Sequence, residues 1–172
     1  DVIASYNNGA SMVHLHVRDK HGRPTEDLTE FKKTLDLIRK GCDIIIQGST
    51  GGVSDLTLEE RCVSLNDDRV EMGALNMGSV NLGESGYVNT LSDIRFWAKR
   101  MEERGVVPEL EIFEPGMINN VKLLAEEGIL KPPFIFGFSI GFKGALPANT
   151  RNLQFLADSI PQGSPWGCVH HG

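Results

Sequence analysis

His14 and His16 stand two residues apart in the run Met12-Val13-His14-Leu15-His16-Val17-Arg18-Asp19. A β-strand turns successive side chains to opposite faces, so His14, His16 and Arg18 share one face while Val13, Leu15 and Val17 share the other. Two imidazoles at i and i+2 lie about 6.5–7 Å apart along a strand, near enough for their ring nitrogens to meet on one divalent ion. The plain alternative is a half-buried strand whose histidines bond to neighbours or water. Arg18 and Asp19 follow where the strand should end. The planar fork of Arg18 suits a carboxylate ligand, and it equally suits a salt bridge to Asp19 or Glu111.

A catalytic metal on two histidines needs a third ligand and an open position for water or substrate. Glu109, Glu111 and Glu114 are carboxylates at a predicted strand end, and Glu109 and Glu111 share a face. Glu111 is a candidate third ligand, an anchor for an imidazole, a base, or simply the partner of a cation. Ser49-Thr50-Gly51-Gly52 offers hydroxyls and backbone amides that can cradle a carboxylate or carbonyl oxygen. His21 falls in a polar turn, Lys20-His21-Gly22-Arg23-Pro24, and reads as solvent-exposed. His170 and His171 are adjacent and face opposite ways, which makes them poor joint ligands.

The elements that must position these groups alternate strictly. Strands are predicted to begin near residues 12, 44, 70, 109, 134 and 166, with a helix in each interval. A helix ends before Gly9, and others cover about residues 27–40, 58–65 and 117–127. A further helix starts at Ser92 or Asp93 and runs to Arg104, and another is capped by Asn149 or Thr150. Residues 78–87 read as a glycine-rich loop. Such alternation predicts a parallel α/β sheet, and the spacing of about 31 residues is that of a (β/α)8 barrel. A doubly wound sheet competes. The barrel is preferred because polar residues recur at carboxyl ends of strands: His16 and Arg18, Ser49 and Thr50, Asn76 and Ser79, Glu111 and Glu114, and Ser139. Six strands do not close an eight-stranded barrel, so the expectation is an internal piece of a longer protein, lacking a strand before Asp1 and at least one after Gly172.

At 172 residues and 40% hydrophobic content the chain is sized for one domain with a core. A formal charge of -6 argues against a general nucleic-acid binder. Cys42, Cys62 and Cys168 are far apart with no Cys-x-x-Cys pair, which suits a reducing compartment. No long apolar run or signal-peptide pattern is present, so the reading is cytoplasmic, with no membrane partner.

Four motifs carry a more specific likeness. In order they are Gly9-Ala10-Ser11-Met12-Val13-His14-Leu15-His16-Val17-Arg18-Asp19, Gln47-Gly48-Ser49-Thr50-Gly51-Gly52, Leu75-Asn76-Met77-Gly78-Ser79-Val80-Asn81 and Pro108-Glu109-Leu110-Glu111-Ile112-Phe113. Together they resemble the β-keto acid cleavage enzymes, whose named type is the 3-keto-5-aminohexanoate cleavage enzyme. The resemblance implies a (β/α)8 TIM barrel of which residues 1–172 cover about strands 2 to 7, as a single domain truncated at both ends. It implies one zinc ion, Zn2+, held by His14 and His16 and by a glutamate beyond Gly172, where the Arg/Asp pair that prepares the base would also lie. It implies that Ser49 or Thr50 holds the substrate carboxylate, that the polar position of the next strand falls at Asn76 or Ser79, and that the inward glutamate after it is Glu111. Arg18 and Glu111 then support the ligand shell. Gly116-Met117 stands where many relatives carry Gly-His.

The reaction implied condenses a β-keto acid with acetyl-CoA and cleaves it by a retro-Claisen step to acetoacetate and a new acyl-CoA, in a homo-oligomer. Two other readings keep part of this picture. A metal-dependent TIM-barrel hydrolase or acyl-CoA lyase would use the same histidines without the acetyl transfer. The third reading is an inactive piece that lacks a full metal shell.

Overall fold

The chain opens with α1 (Val2–Asn7), and Gly9, at φ 98°, turns it into β1 (Met12–Leu15). A side chain at that φ would be strained, so glycine is the residue that can make the turn. The structure, a computed structural model, describes residues 1–51 and 55–170. Gly52 of the predicted oxygen cradle and His171 lie outside the described residues.

After β1 come α2 (Thr29–Gly41), β2 (Ile45–Gly48), α3 (Leu58–Arg61), a 3-10 turn (Val63–Asn66) and β3 (Met72–Asn76). A hairpin follows, β4 (Val80–Leu82) and β5 (Ser85–Tyr87), then α4 (Leu91–Arg104), β6 (Val107–Ile112), α5 (Gly116–Glu126), β7 (Ile135–Ile140), α6 (Thr150–Ser159) and β8 (Trp166–His170). Six strands are ordered β1-β2-β3-β6-β7-β8, and the registered pairs β1/β2, β2/β3, β6/β7 and β7/β8 are all parallel. Neighbours in the sheet follow one another in the chain without a reversal of order. A doubly wound sheet needs such a reversal at its switch point, so the competing architecture is excluded.

The chain forms two compact units, Asp1–Ala74 with Arg100–Val107, and Leu75–Lys99 with Pro108–Gly172. In the first, α2 buries Phe31, Leu35 and Ile38 at helical spacing, and β2 buries Ile46. Arg39 of α2 donates to Ile44 O at 2.5 Å and to the Glu71 carboxylate at 2.7 Å, and Glu71 accepts from Ile46 N–H at 3.1 Å. This ties the start of β2 and the residue before β3 to the helix. Thr57 and Glu60 cap α3 reciprocally: the Glu60 amide donates to Thr57 Oγ1 at 3.3 Å and the Thr57 amide to the Glu60 carboxylate at 2.7 Å. In the second unit the core is richer in large side chains. Trp97, Leu110, Ile112, Leu124, Phe136, Phe138 and Leu156 are all at most 1% exposed.

Three local expectations are corrected. β1 ends at Leu15 rather than running on through His16 toward Arg18, because its partner ends with it: Leu15 pairs with Gly48, and Ser49 N–H makes the last ladder bond to Leu15 O. The stretch 78–87 is not an open loop but holds the β4–β5 hairpin, whose turn uses Gly83 at φ 66°. α4 is capped by Thr90, not Ser92 or Asp93. The Asp93 amide donates to Thr90 Oγ1 at 3.3 Å, and the Thr90 amide donates back to the Asp93 carboxylate at 2.8 Å. Among the described residues no helix is long and apolar enough to cross a membrane.

Gly48 ends β2 where the backbone passes closest to the 3-10 turn. A Cβ there would lie 2.5 Å from Ser64 Oγ, 2.9 Å from Ser64 Cβ and 3.1 Å from Val70 Cγ1. The Ser64 hydroxyl is itself committed, donating to Ser49 O at 3.0 Å. Gly48→Ala should therefore destabilise the protein by about 1–3 kcal/mol, read as a lower urea midpoint; an unchanged midpoint would show that this approach is not tight.

Candidate functional site

In the first unit, the register of β1 and β2 sets His14 beside Gln47 on one sheet face. Gln47 is 1% exposed, and its Oε1 lies 2.6 Å from His14 Nδ1. An amide oxygen only accepts, so His14 Nδ1 carries the hydrogen and Nε2 presents its lone pair. That nitrogen is 3.2 Å from His16 Nε2, with the two rings inclined at 72°. His16 lies beyond the assigned strand, yet its ring returns to the side of His14.

The His16 side chain reaches solvent, but protein packed against the ring displaces water from it. That desolvation, with the charges of His14 and Arg18, lowers its pKa to about 4. The neutral, ligating form is therefore the one present near neutral pH. Two nitrogens bound tetrahedrally at about 2.0–2.1 Å to one zinc ion stand roughly 3.3 Å apart. The pair fits that requirement in spacing, and the Gln47 bond to Nδ1 leaves the His14 Nε2 facing His16. Among the described residues no group of three or more His, Cys, Asp or Glu gathers to complete a metal shell.

Beside His16 is a cavity of about 300 Å³ whose lining includes Arg18, Thr25, Ser49, Glu60 and Arg61. Two guanidinium groups reach it against one carboxylate, and that carboxylate is occupied in the α3 cap. Arg18 donates to Gly22 O at 2.8 Å, while Asp19 pairs with Arg23 rather than Arg18. Backbone and side-chain hydrogen bonds from the Arg23 and His21 loop hold the Asp19 pKa down at about 2. Ser49 is buried, and its hydroxyl accepts from Gly51 N–H at 3.1 Å and donates to Gly51 O at 3.3 Å. Thr50 is fully buried and its hydroxyl donates to Ala74 O, so its proton is already committed.

The second unit holds a separate polar row. Met77 N–H donates to Glu111 O at 3.0 Å, which in a parallel ladder sets Asn76 beside Glu111 on the same face. Asn76 is 1% exposed, and neither its Oδ1 nor its Nδ2 has a hydrogen-bond partner among the described residues. An orphaned buried amide costs about 1–3 kcal/mol and marks a place where a ligand or water is received. The Ser139 hydroxyl donates to Glu111 Oε1 at 2.7 Å. Ser79 is exposed and takes a structural bond, its Oγ accepting from Asn89 N–H at 2.8 Å. Burial pushes the Glu114 carboxyl above its usual range, partly offset by a hydrogen bond from the Leu146 amide. His170 is registered with Ile140, on the face opposite Ser139.

Gln47 is the residue that sequence reading misses. Its signal was the parity of β2 relative to β1, and that becomes legible only once the register is known. Arg61, in the helix expected over about residues 58–65, likewise gives no sign in the sequence that it lines the cavity.

The parallel strands in chain order, with a polar row at strand ends, define an α/β protein of the (β/α)8-barrel class. A likeness to the solved complex of ObcA with oxaloacetate agrees with that fold: TM-score 0.69 at 22% identity, over 82% of this chain and 35% of that one. The family model of the beta-keto acid cleavage enzymes matches residues 1–172, and the chain belongs to that family. It is 40% identical over 165 residues to a 3-keto-5-aminohexanoate cleavage enzyme of Fusobacterium nucleatum, covering 95% of this chain and 60% of that protein. It is 32% identical over 164 residues to a 3-oxoadipate:acetyl-CoA acetyltransferase of Cupriavidus necator, covering 94% of this chain and 57% of that protein. The chain thus spans less than two thirds of the length of these relatives.

The Gln47 bond fixes both the tautomer and the aim of His14. Gln47→Leu should weaken divalent-metal binding by the intact protein about 10–100-fold, measured by competition with a chromophoric chelator. Unchanged affinity would mean that the imidazole is oriented by something else.

Proposed function

We propose that the intact protein is a zinc-dependent β-keto acid cleavage enzyme. It would take a β-keto acid and acetyl-CoA to acetoacetate and a new acyl-CoA by a retro-Claisen step: the acyl fragment of the keto acid passes to the CoA sulfur, and the acetyl group is joined to the remaining carboxymethyl carbon. The observation that carries this reading is the pair of Nε2 atoms of His14 and His16 at 3.2 Å, with His14 held in its ligating tautomer by Gln47. Family membership supplies the reaction class.

His14 and His16 would hold the zinc ion, which supplies Lewis acidity to the oxygens of the bound keto acid. The chain's own groups do the rest of the binding. Arg18 and Arg61 make the cavity beside His16 favourable for a carboxylate, and Ser49 there offers a hydroxyl to one of its oxygens. Thr50, bound to Ala74 O, acts by holding the backbone of that loop in place. In the second unit, the Asn76 amide and the Glu111 carboxylate, which accepts from the Ser139 hydroxyl, form a polar pair of their own. Relatives named for an aminated keto acid and for a dicarboxylic one leave the substituent on the substrate to the residues lining the pocket.

The intact protein should consume a β-keto acid only when acetyl-CoA is present and release acetoacetate in equal amount. His14→Ala and His16→Ala should each abolish both the activity and the retained zinc. Turnover with water alone would favour the hydrolase reading, and a stoichiometric ion surviving in both variants would remove the histidines from the metal site.

A further inference from the structure

We infer that Ser139 is a positioning residue that aims the Glu111 carboxylate, a role resting on the functional reading above. β7 presents two kinds of surface. Phe136, Phe138 and Ile140 point to the apolar face, where Phe136 and Phe138 have no exposure and Ile140 has 4%. Gly137 and Ser139 point to the other face, beside Glu109 and Glu111 of β6, since Glu109 pairs with Ile135 and Glu111 with Gly137. The two polar-face positions of β7 treat the two glutamates differently.

At Gly137 a Cβ would lie 3.0 Å from Glu109 Cδ and 3.2 Å from each of its carboxylate oxygens. The missing side chain is the room that Glu109 fills, so Glu109 lies across the middle of β7. Glu111 is met instead by Ser139, two residues nearer the carboxyl end of the strand. The Ser139 hydroxyl, 2% exposed, donates to Glu111 Oε1 at 2.7 Å. A buried serine on a strand has the ladder to satisfy its backbone, and its hydroxyl is free to serve a side chain; here it serves a carboxylate, the stronger kind of acceptor. Glu111 in turn stands in register with Asn76, whose buried amide has both polar atoms without a partner among the described residues. Fixing Oε1 from the β7 side sets the orientation of the carboxylate next to that buried amide.

The test uses the intact protein and the variants Ser139→Ala, Ser139→Thr, Glu111→Gln and the Ser139→Ala/Glu111→Gln pair. Ser139→Ala should lower kcat about tenfold with KM changed less than about threefold, and Ser139→Thr, which keeps the hydroxyl, should restore most of the loss. In the Glu111→Gln background the further change to Ala should cost almost nothing, because the group it aims is gone. Equal losses from Ser139→Ala in both backgrounds would overturn the inference, since a purely structural serine acts regardless of Glu111. Crystal structures of the parent and of Ser139→Ala give a readout independent of activity: the Glu111 carboxylate should rotate away from its parent position. A carboxylate that stays in place refutes positioning, whereas a rotated one in a protein without acetyl-CoA-dependent cleavage refutes only the reaction.

Discussion

The hydrogen bond between His14 Nδ1 and Gln47 Oε1 is the contact on which the proposed metal site depends. It joins two neighbouring strands through side chains rather than backbone, and it does so at a registered pair, so the ladder sets its length. With the Nδ1 proton assigned to Gln47, the lone pair of Nε2 is committed to the other side of the ring, where His16 also points. Slippage of β1 by one residue would turn every side chain of the strand to the opposite face and lose both histidines at once. The register is protected by the apolar residues of the alternate positions and by Gly48, which lets β2 run close beneath Ser64.

The same economy governs the second unit. One face of β6 and β7 carries apolar side chains into a close-packed core, and the other carries Glu109, Glu111, Gly137 and Ser139. Period-two alternation puts chemistry and packing on one strand without mixing them. Polar groups on such a face are tolerable when they are satisfied by one another, as Glu111 is by Ser139. Asn76 departs from this rule, and a buried amide left without partners is the kind of exception that binding sites contain.

Much of this was legible in the sequence because its causes are local. The meeting of the His14 and His16 rings, the helical spacing of Phe31, Leu35 and Ile38, the Gly9 stop and the Asn149 cap each depend on a few consecutive residues, and the structure has all of them, although the strand stops short of His16. The four motifs carry the family likeness through residue order alone, without reference to the fold. What stayed hidden depends on pairing between distant segments. Gln47 reads as an ordinary strand residue until β2 is set against β1, and the Ser139 hydroxyl has no visible target until Glu111 is placed beside β7. The hairpin at 80–87 was obscured for a different reason: glycine and serine mark a turn but do not announce the short strands around it. Thr50 shows the remaining limit, since a hydroxyl in a plausible cradle turned out to be bonded to the neighbouring strand.

The most direct test is anomalous diffraction at the zinc edge from crystals of the intact protein grown with zinc. A single peak about 2.0–2.1 Å from Nε2 of both His14 and His16 is predicted. A zinc peak elsewhere, or one touching only one of the two rings, would contradict the account.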